Sequence, residues 1–176
     1  RRIGILGLGH LGASCAEQFV ALGFDVCGWS RTAKDLPGVA CHHGEDGLFA
    51  VLERSQILVN LLPLTDETRD ILDATTMGAM PEGAVLINAA RGAHLVQDDL
   101  IEMLDSGHLS YATLDVFRTE PLPGDHPFWS HPKIAIYPHA AAWTLPEAAA
   151  PVIAENIRKA EAGEPLYGQI DVRRGY

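Results

Sequence analysis

The sequence predicts a doubly wound α/β fold: one parallel sheet with helices on both faces, in three layers. Three observations carry this. A short apolar run, Ile3-Gly4-Ile5-Leu6, leads into glycines spaced G-x-G-x-x-G, which then open a helical pattern. Short apolar runs alternate with helix-patterned segments along nearly the whole chain. Residues 56–62 contain Ile-Leu-Val-Asn-Leu-Leu, the look of a strand buried on both faces.

Taken in order, residues 2–6 read as the first strand. A helix over 10–22, patterned by Leu11, Cys15 and Phe19, is ended by Gly23. The second strand covers 24–29. Pro37-Gly38 marks a turn before a short third strand at 39–41. Residues 46–54 make a short helix with Leu48, Val51 and Leu52 on one side. The strand at 56–62 stops before Pro63. Segments 67–72 and 75–80 read as short helices, Pro81-Glu82-Gly83 as a turn and 84–88 as a strand. Leu100, Ile101 and Leu104 share a face of a helix over 97–106, which Gly107 terminates. Strands follow at 111–116 and 133–137, separated by a proline-rich loop over 120–132. A helix over 146–162, with Pro at its start and Gly163 at its end, closes the pattern. There is no internal repeat.

With 176 residues and 47% apolar content, the chain can bury a full core. No apolar run approaches the ~20 residues of a membrane span, and the first residues show no signal-peptide pattern. The three cysteines, Cys15, Cys27 and Cys41, have no metal-ligand spacing; they read as small core residues and as reduced thiols in a cytoplasmic setting. No metal site is expected. The net charge is −10 with no basic stripe, which argues against nucleic acid as a partner. An acidic surface repels anions at long range, so an anion site here has to be built from local donors. The chain opens on Arg1, without Met, almost directly on a buried-type strand; this points to a preceding segment in the natural protein.

The glycine turn supplies such donors. Gly7 lets the chain turn off the first strand, Gly9 leaves room for a pyrophosphate, and Gly12 lets the helix lie close on the sheet. With His10 and Leu11 they form a candidate dinucleotide site at a helix start, where unpaired N–H groups attract an anion. In such sheets ligands bind beyond the carboxyl ends of the strands, so the polar residues there are the remaining candidates. Ser30-Arg31-Thr32 follows the second strand, where a site for NAD usually carries Asp or Glu; three donors instead favour a 2′-phosphate, hence NADP(H), with NAD(H) possible. Pro63 and Thr65 follow the buried strand. Ala89, Ala90 and Arg91 follow the strand at 84–88, placing a guanidinium suited to fork onto a carboxylate. Asp115 and Glu120 follow the next strand, and His139 the last. A carboxylate beside His139 would hold the ring in one tautomer and favour its protonated form, which makes it a usable general acid. Of the eight histidines, His139 is the one placed for chemistry; His10, His42, His43, His94, His108, His126 and His131 lie in or near turns without metal-pair spacing.

At these residues the chain resembles the D-isomer-specific 2-hydroxyacid dehydrogenases, with a Rossmann-type nucleotide-binding domain. The matching pieces are Gly7-x-Gly9-x-x-Gly12, Leu61-Leu62-Pro63-Leu64-Thr65, Ile87-Asn88-Ala89-Ala90-Arg91-Gly92, Leu114-Asp115-Val116-Phe117, Glu120-Pro121 and Pro138-His139. Trp29-Ser30-Arg31-Thr32 and the tail from Gly168-Gln169-Ile170-Asp171 to Arg174-Gly175-Tyr176 are similar to a branch that uses NADPH. That branch reduces glyoxylate to glycolate and hydroxypyruvate to D-glycerate.

The resemblance implies roles. Arg91 would bind the 2-oxoacid, His139 would protonate the carbonyl oxygen, and Glu120 would pair with His139. Asp115 would accept from the nicotinamide carboxamide. Leu62, Pro63 and Thr68 would line the adenosine side, and Ala89, Ala90 and Ala141 the nicotinamide side. It also implies a homodimer, and a division into a cofactor domain at 1–150 and a tail at 151–176 that returns to a substrate domain outside this chain. Without that domain, weak cofactor binding and little turnover are expected. Ala141 stands where many relatives have Gly, and Trp143 is bulkier than the aliphatic residue expected. A dehydrogenase of another 2-hydroxyacid, or a non-catalytic dinucleotide-binding scaffold of corepressor type, are the alternative readings.

Overall fold

The computed structural model describes residues 1–169; the tail motif at Ile170, Asp171 and 174–176 lies outside the described residues. The elements run β1 (Arg2–Leu6), α1 (His10–Ala21), β2 (Asp25–Ser30), β3 (Val39–His43), α2 (Gly44–Leu52), β4 (Ile57–Asn60), α3 (Ala74–Gly78), β5 (Ala84–Asn88), α4 (Gln97–Asp105), β6 (Leu109–Leu114), β7 (Ile134–Ile136) and α5 (Pro146–Ala162). The strands form one seven-stranded sheet in the order β3-β2-β1-β4-β5-β6-β7, and every pair is parallel. The chain divides into two units, residues 1–139 with the whole sheet and residues 140–176 with α5.

The apolar runs become strands because both sheet faces are covered. Adjacent residues on a strand point to opposite faces, and β4 divides accordingly. Leu58 joins a core with Leu6, Val51, Leu52, Leu86, Leu100 and Leu104. Val59 joins a second core with Ile3, Ile5, Leu8, Ala16 and Val26. The α2 residues foreseen for its inner face, Leu48, Val51 and Leu52, are buried there. In α1 the inner face is set by Gly12 and Ala16, with Cys15, Phe19 and Val20 partly covered. Leu11 departs from the sequence pattern: it is 50% exposed at the helix start. The close seat of α1 depends on Gly12, where a Cβ would come within 1.7 Å of the Gly7 carbonyl oxygen.

Two sequence expectations need correction. Residues 67–72 form turns rather than a helix. Thr65 and Thr68 use their hydroxyls on nearby backbone, the Thr68 Oγ1–H donating to the Pro63 carbonyl at 2.7 Å and accepting from the Thr65 N–H at 2.9 Å. Such local bonds compete with helix. Asp70 then takes a left-handed φ of 57°, and Leu72 forms a parallel bridge with Leu95. The loop at 120–132 also has structure: a 3-10 turn at Pro127–Trp129 drops Phe128 into the core.

In the second unit, α5 ends on Gly163 in the left-handed region at φ 70°. Asn156 holds the backbone of Tyr167 in both directions, at 2.9 and 3.0 Å, and Lys159 lies 4.6 Å over the Tyr167 ring. No helix among the described residues is long and apolar enough to cross a membrane, and no group of possible metal ligands occurs among them.

Candidate functional site

Register determines where the candidate residues meet. Trp29, Leu6, Asn60, Asn88, Leu114 and Ile136 are successive partners in one row across the sheet, at its carboxyl edge. The turns carrying the candidate residues all leave from this row. The strand order reverses at β1, whose neighbours are β2 and β4; a crevice opens at such a switch point, and the glycine turn follows β1. Gly7 has φ 100°, and a Cβ there would lie 2.8 Å from the Leu61 carbonyl. A Cβ on Gly9 would meet nothing within 4 Å, so the space in front of the helix is open. No side chain caps the start of α1, and its first turn has no acidic residue. His10 and Leu11 are exposed beside it.

Past β2, the Ser30 hydroxyl donates to the Thr32 carbonyl at 2.8 Å, which tightens the turn carrying the exposed Arg31. Past β4, Leu62 is buried, Pro63 is exposed and Thr68 is buried beneath it, bonded to the Pro63 carbonyl. These residues fit a dinucleotide in kind: N–H groups for the pyrophosphate, and hydroxyls with a guanidinium for a 2′-phosphate.

On the other half of the rim, Ala89, Ala90 and Arg91 follow β5. Arg91 is exposed, and its Nη1 donates to the Ala90 carbonyl at 2.6 Å. Asp115 is buried immediately after β6, its N–H donating to the Asn88 carbonyl at 3.0 Å. Glu120 accepts from the Phe117 N–H at 2.9 Å through one oxygen and meets His139 Nδ1 at 2.8 Å through the other. Burial works to raise the Glu120 carboxyl. The bonds from His139 and Phe117 and the charges of His139 and Arg91 outweigh it, and the group lies below the ordinary glutamate range. That balance puts Arg91 within electrostatic reach of the pair. His139 has a left-handed φ of 54°, a conformation histidine tolerates better than most residues. Gly92 lets the Arg91 turn lie against the Glu120 turn, since a Cβ there would come within 1.9 Å of the Phe117 carbonyl carbon. Glu120 and His139 are therefore in contact, with Arg91 on the adjoining turn; Ala141 belongs to the second unit.

Beneath this rim lies a polar cluster that the sequence reading passed over. Asn60, Asn88 and His94 are each 0% exposed. Asn60 Nδ2 donates to Asn88 Oδ1 at 3.0 Å and contacts His94 Nδ1 at 3.1 Å; His94 Nε2 contacts the Pro63 carbonyl at 3.2 Å. Asn88 Nδ2 donates to the Arg91 carbonyl at 3.2 Å. Arg118 adds an outer clamp, pairing with Asp70 and donating from Nε to the Leu95 carbonyl at 2.9 Å. The available sequence signal was an Asn closing each of two otherwise apolar strands.

A glycine turn at the switch point of a parallel sheet defines a dinucleotide-binding α/β domain. The chain belongs to the D-isomer specific 2-hydroxyacid dehydrogenase family, whose NAD binding domain matches residues 1–141. The chain is 52% identical over 174 residues to the glyoxylate/hydroxypyruvate reductase A of Serratia proteamaculans, covering 99% of this chain and 56% of that protein. It superposes with TM-score 0.96 on a D-isomer specific 2-hydroxyacid dehydrogenase from Xanthobacter autotrophicus in complex with NADPH and MES, at 50% identity, covering 99% of this chain and 72% of that one. The NADPH-dependent glyoxylate/hydroxypyruvate reductase of Sinorhizobium meliloti, in complex with NADP and sulfate, gives TM-score 0.94 at 39% identity, covering 99% and 57%. The chain thus spans little more than half the length of the curated relatives it matches.

Proposed function

We propose that this chain is the cofactor-binding part of an NADPH-dependent reductase of small 2-oxoacids, glyoxylate and hydroxypyruvate first. The observation that carries the reading is the Glu120–His139 pair, with Arg91 on the adjoining turn, along the rim that also holds the glycine turn. NADPH, when bound, supplies the hydride that reduces the carbonyl carbon. The chain's own residues do the rest. The α1 start and Gly9 receive the pyrophosphate, and Ser30, Arg31 and Thr32 receive the 2′-phosphate. Leu62, Pro63 and Thr68 wall the adenosine side, Ala89 and Ala90 the nicotinamide side, and Asp115 accepts from the carboxamide.

Arg91 forks onto the keto acid and draws charge toward its oxygens. Glu120 holds His139 through Nδ1 at 2.8 Å, so Nε2 is the ring nitrogen that gives its proton to the carbonyl oxygen. In the reverse direction His139 takes the hydroxyl proton. The division into a cofactor domain at 1–150 and a tail at 151–176 follows from the same reading. So do a homodimer and a cytoplasmic setting, which the free Cys15, Cys27 and Cys41 suit. No nucleic acid partner is part of it.

The test is NADPH oxidation by the full-length protein with glyoxylate, hydroxypyruvate and pyruvate in parallel, repeated with NADH. Faster turnover of the first two acids, with NADPH preferred, supports the reading. No oxidation with any of the three, or NADH used equally well, overturns it.

A further inference from the structure

The buried cluster under the rim fixes the protonation state of His94 by hydrogen-bond logic alone. The Leu62 N–H can only donate, and it points at Asn60 Oδ1, 3.3 Å away. That turns Asn60 Nδ2 toward Asn88 Oδ1 at 3.0 Å and His94 Nδ1 at 3.1 Å. An amide nitrogen can only donate, so His94 Nδ1 accepts and carries no proton. The proton is then on Nε2, and there it meets the Pro63 carbonyl, which can only accept, at 3.2 Å. Both ends of the chain agree on a neutral ring with Nε2–H. A second proton, on Nδ1, would face the Asn60 amide donor to donor.

The same bonds join two halves of the site. Asn60 and His94 hold the turn Leu62–Pro63 on the adenosine side. Asn88 holds the next turn twice, accepting from the Ala90 N–H at 3.3 Å and donating to the Arg91 carbonyl at 3.2 Å. We propose that His94 is a positioning residue for this site, whose neutral Nε2–H form locks the cofactor-side turn at Pro63 to the turn that carries Arg91, and whose protonation releases that lock. The proposal rests on the reductase reading for the chemistry of the two turns it joins.

On balance the surroundings oppose protonation of the ring. Burial disfavours a charged ring; the backbone contacts of Pro63 and Arg91 partly offset this, and the charges of Arg91 and Arg69 reinforce it. Asp70, the carboxylate on the neighbouring turn, is engaged by Arg118. No carboxylate is bonded to the His94 ring among the described residues.

The test uses the full-length protein with His94→Gln and His94→Leu. A glutamine amide carries an acceptor and a donor on one carbon, as the ring carries Nδ1 and Nε2, and it does not titrate. His94→Leu strands the Asn60 amide and the Pro63 carbonyl, and is expected to raise KM for NADPH about tenfold. His94→Gln is expected to recover most of that loss. Wild-type KM for NADPH is expected to rise as pH falls below about 6.5, because burial holds the folded ring below that ordinary value, and the rise is expected to flatten in His94→Gln. Titration of the cofactor's 2′-phosphate, with its second pKa near ~6, is common to both proteins and cancels in the comparison.

Nitrogen NMR of the wild-type apo protein provides a readout independent of activity and of variant folding, with a neutral Nε2–H ring expected at neutral pH. An Nδ1–H or charged ring there, or identical pH dependence of KM in wild type and His94→Gln, overturns the proposal. A wild type that oxidises no NADPH with any 2-oxoacid overturns the reductase reading instead and leaves the NMR result to judge the lock.

Discussion

At the scale of single residues, the rim separates chemistry from support. Glu120 touches His139 and the Phe117 N–H with different oxygens, so Glu120→Gln keeps the shape and removes the charge. Its expected effect is a loss in kcat of about 10²-fold or more, with the melting temperature little changed. His139 is better probed by Asn than by Val, because at a φ of 54° a β-branched side chain is strained and Asn is tolerated. His139→Asn is expected to lower kcat by about 10²–10⁴-fold in steady-state assays.

The pH dependence has a definite sign. The Glu120 carboxyl lies below its ordinary 4.5, so its contribution to stability is present above that pH and is lost as pH falls through the folded value. His94 is also pushed below its ordinary 6.5 by burial, so the unfolded chain takes up that proton first. Stability is therefore expected to begin falling as pH drops below about 6.5, before Glu120 contributes. Thermal melts at steps from pH 8 to 4 check this, and His94→Gln is expected to remove the earlier decline.

At the scale of elements, two glycines hold the candidate site together by allowing close approach. Gly12→Ala would place a methyl 1.7 Å from the Gly7 oxygen, forcing α1 off the sheet. A loss of about 2 kcal/mol or more is expected in denaturant melts, with weakened dinucleotide binding. Gly92→Ala is expected to part the Arg91 turn from the Glu120 turn, lowering kcat/KM for the keto acid more than binding of the cofactor.

The strands and long helices were legible because a sheet covered on both faces leaves continuous apolar runs, and a helix packed on one side imposes a period of 3.6. The turns at 67–72 were not, since two threonines and a left-handed Asp70 override a helical pattern locally. Leu109 joined β6 through pairing with Ala84 and burial rather than through any apolar run, while Ser110 is exposed at the register shift that follows it. Of the candidate site, Arg91, Glu120 and His139 could be read from their places past strand ends. The Asn60–Asn88–His94 cluster could not, because Asn60 lies 28 and 34 residues from its two partners, and it reaches Asn88 only through the register of β4 and β5.

At the scale of the whole molecule, the seven parallel strands and their two cores make a stable platform in residues 1–139. Cofactor discrimination belongs here, since a surface of net charge −10 repels NADPH until local donors take over. Arg31→Ala is expected to weaken NADPH binding about tenfold or more while changing NADH binding little, as read by fluorescence titration. The residual preference for NADPH would come from Thr32, since the Ser30 hydroxyl already donates to the Thr32 carbonyl.

The row from Trp29 through Asn60 to Ile136 has one more implication. Lengthening a loop beyond that line shifts only the groups on that loop and leaves its neighbours at their stations. An added residue inside a strand instead slides the ladder and turns each side chain beyond it to the opposite face. Descendants of such a scaffold can therefore vary freely in loop length on one side of the line, while the spans beneath it stay fixed in count.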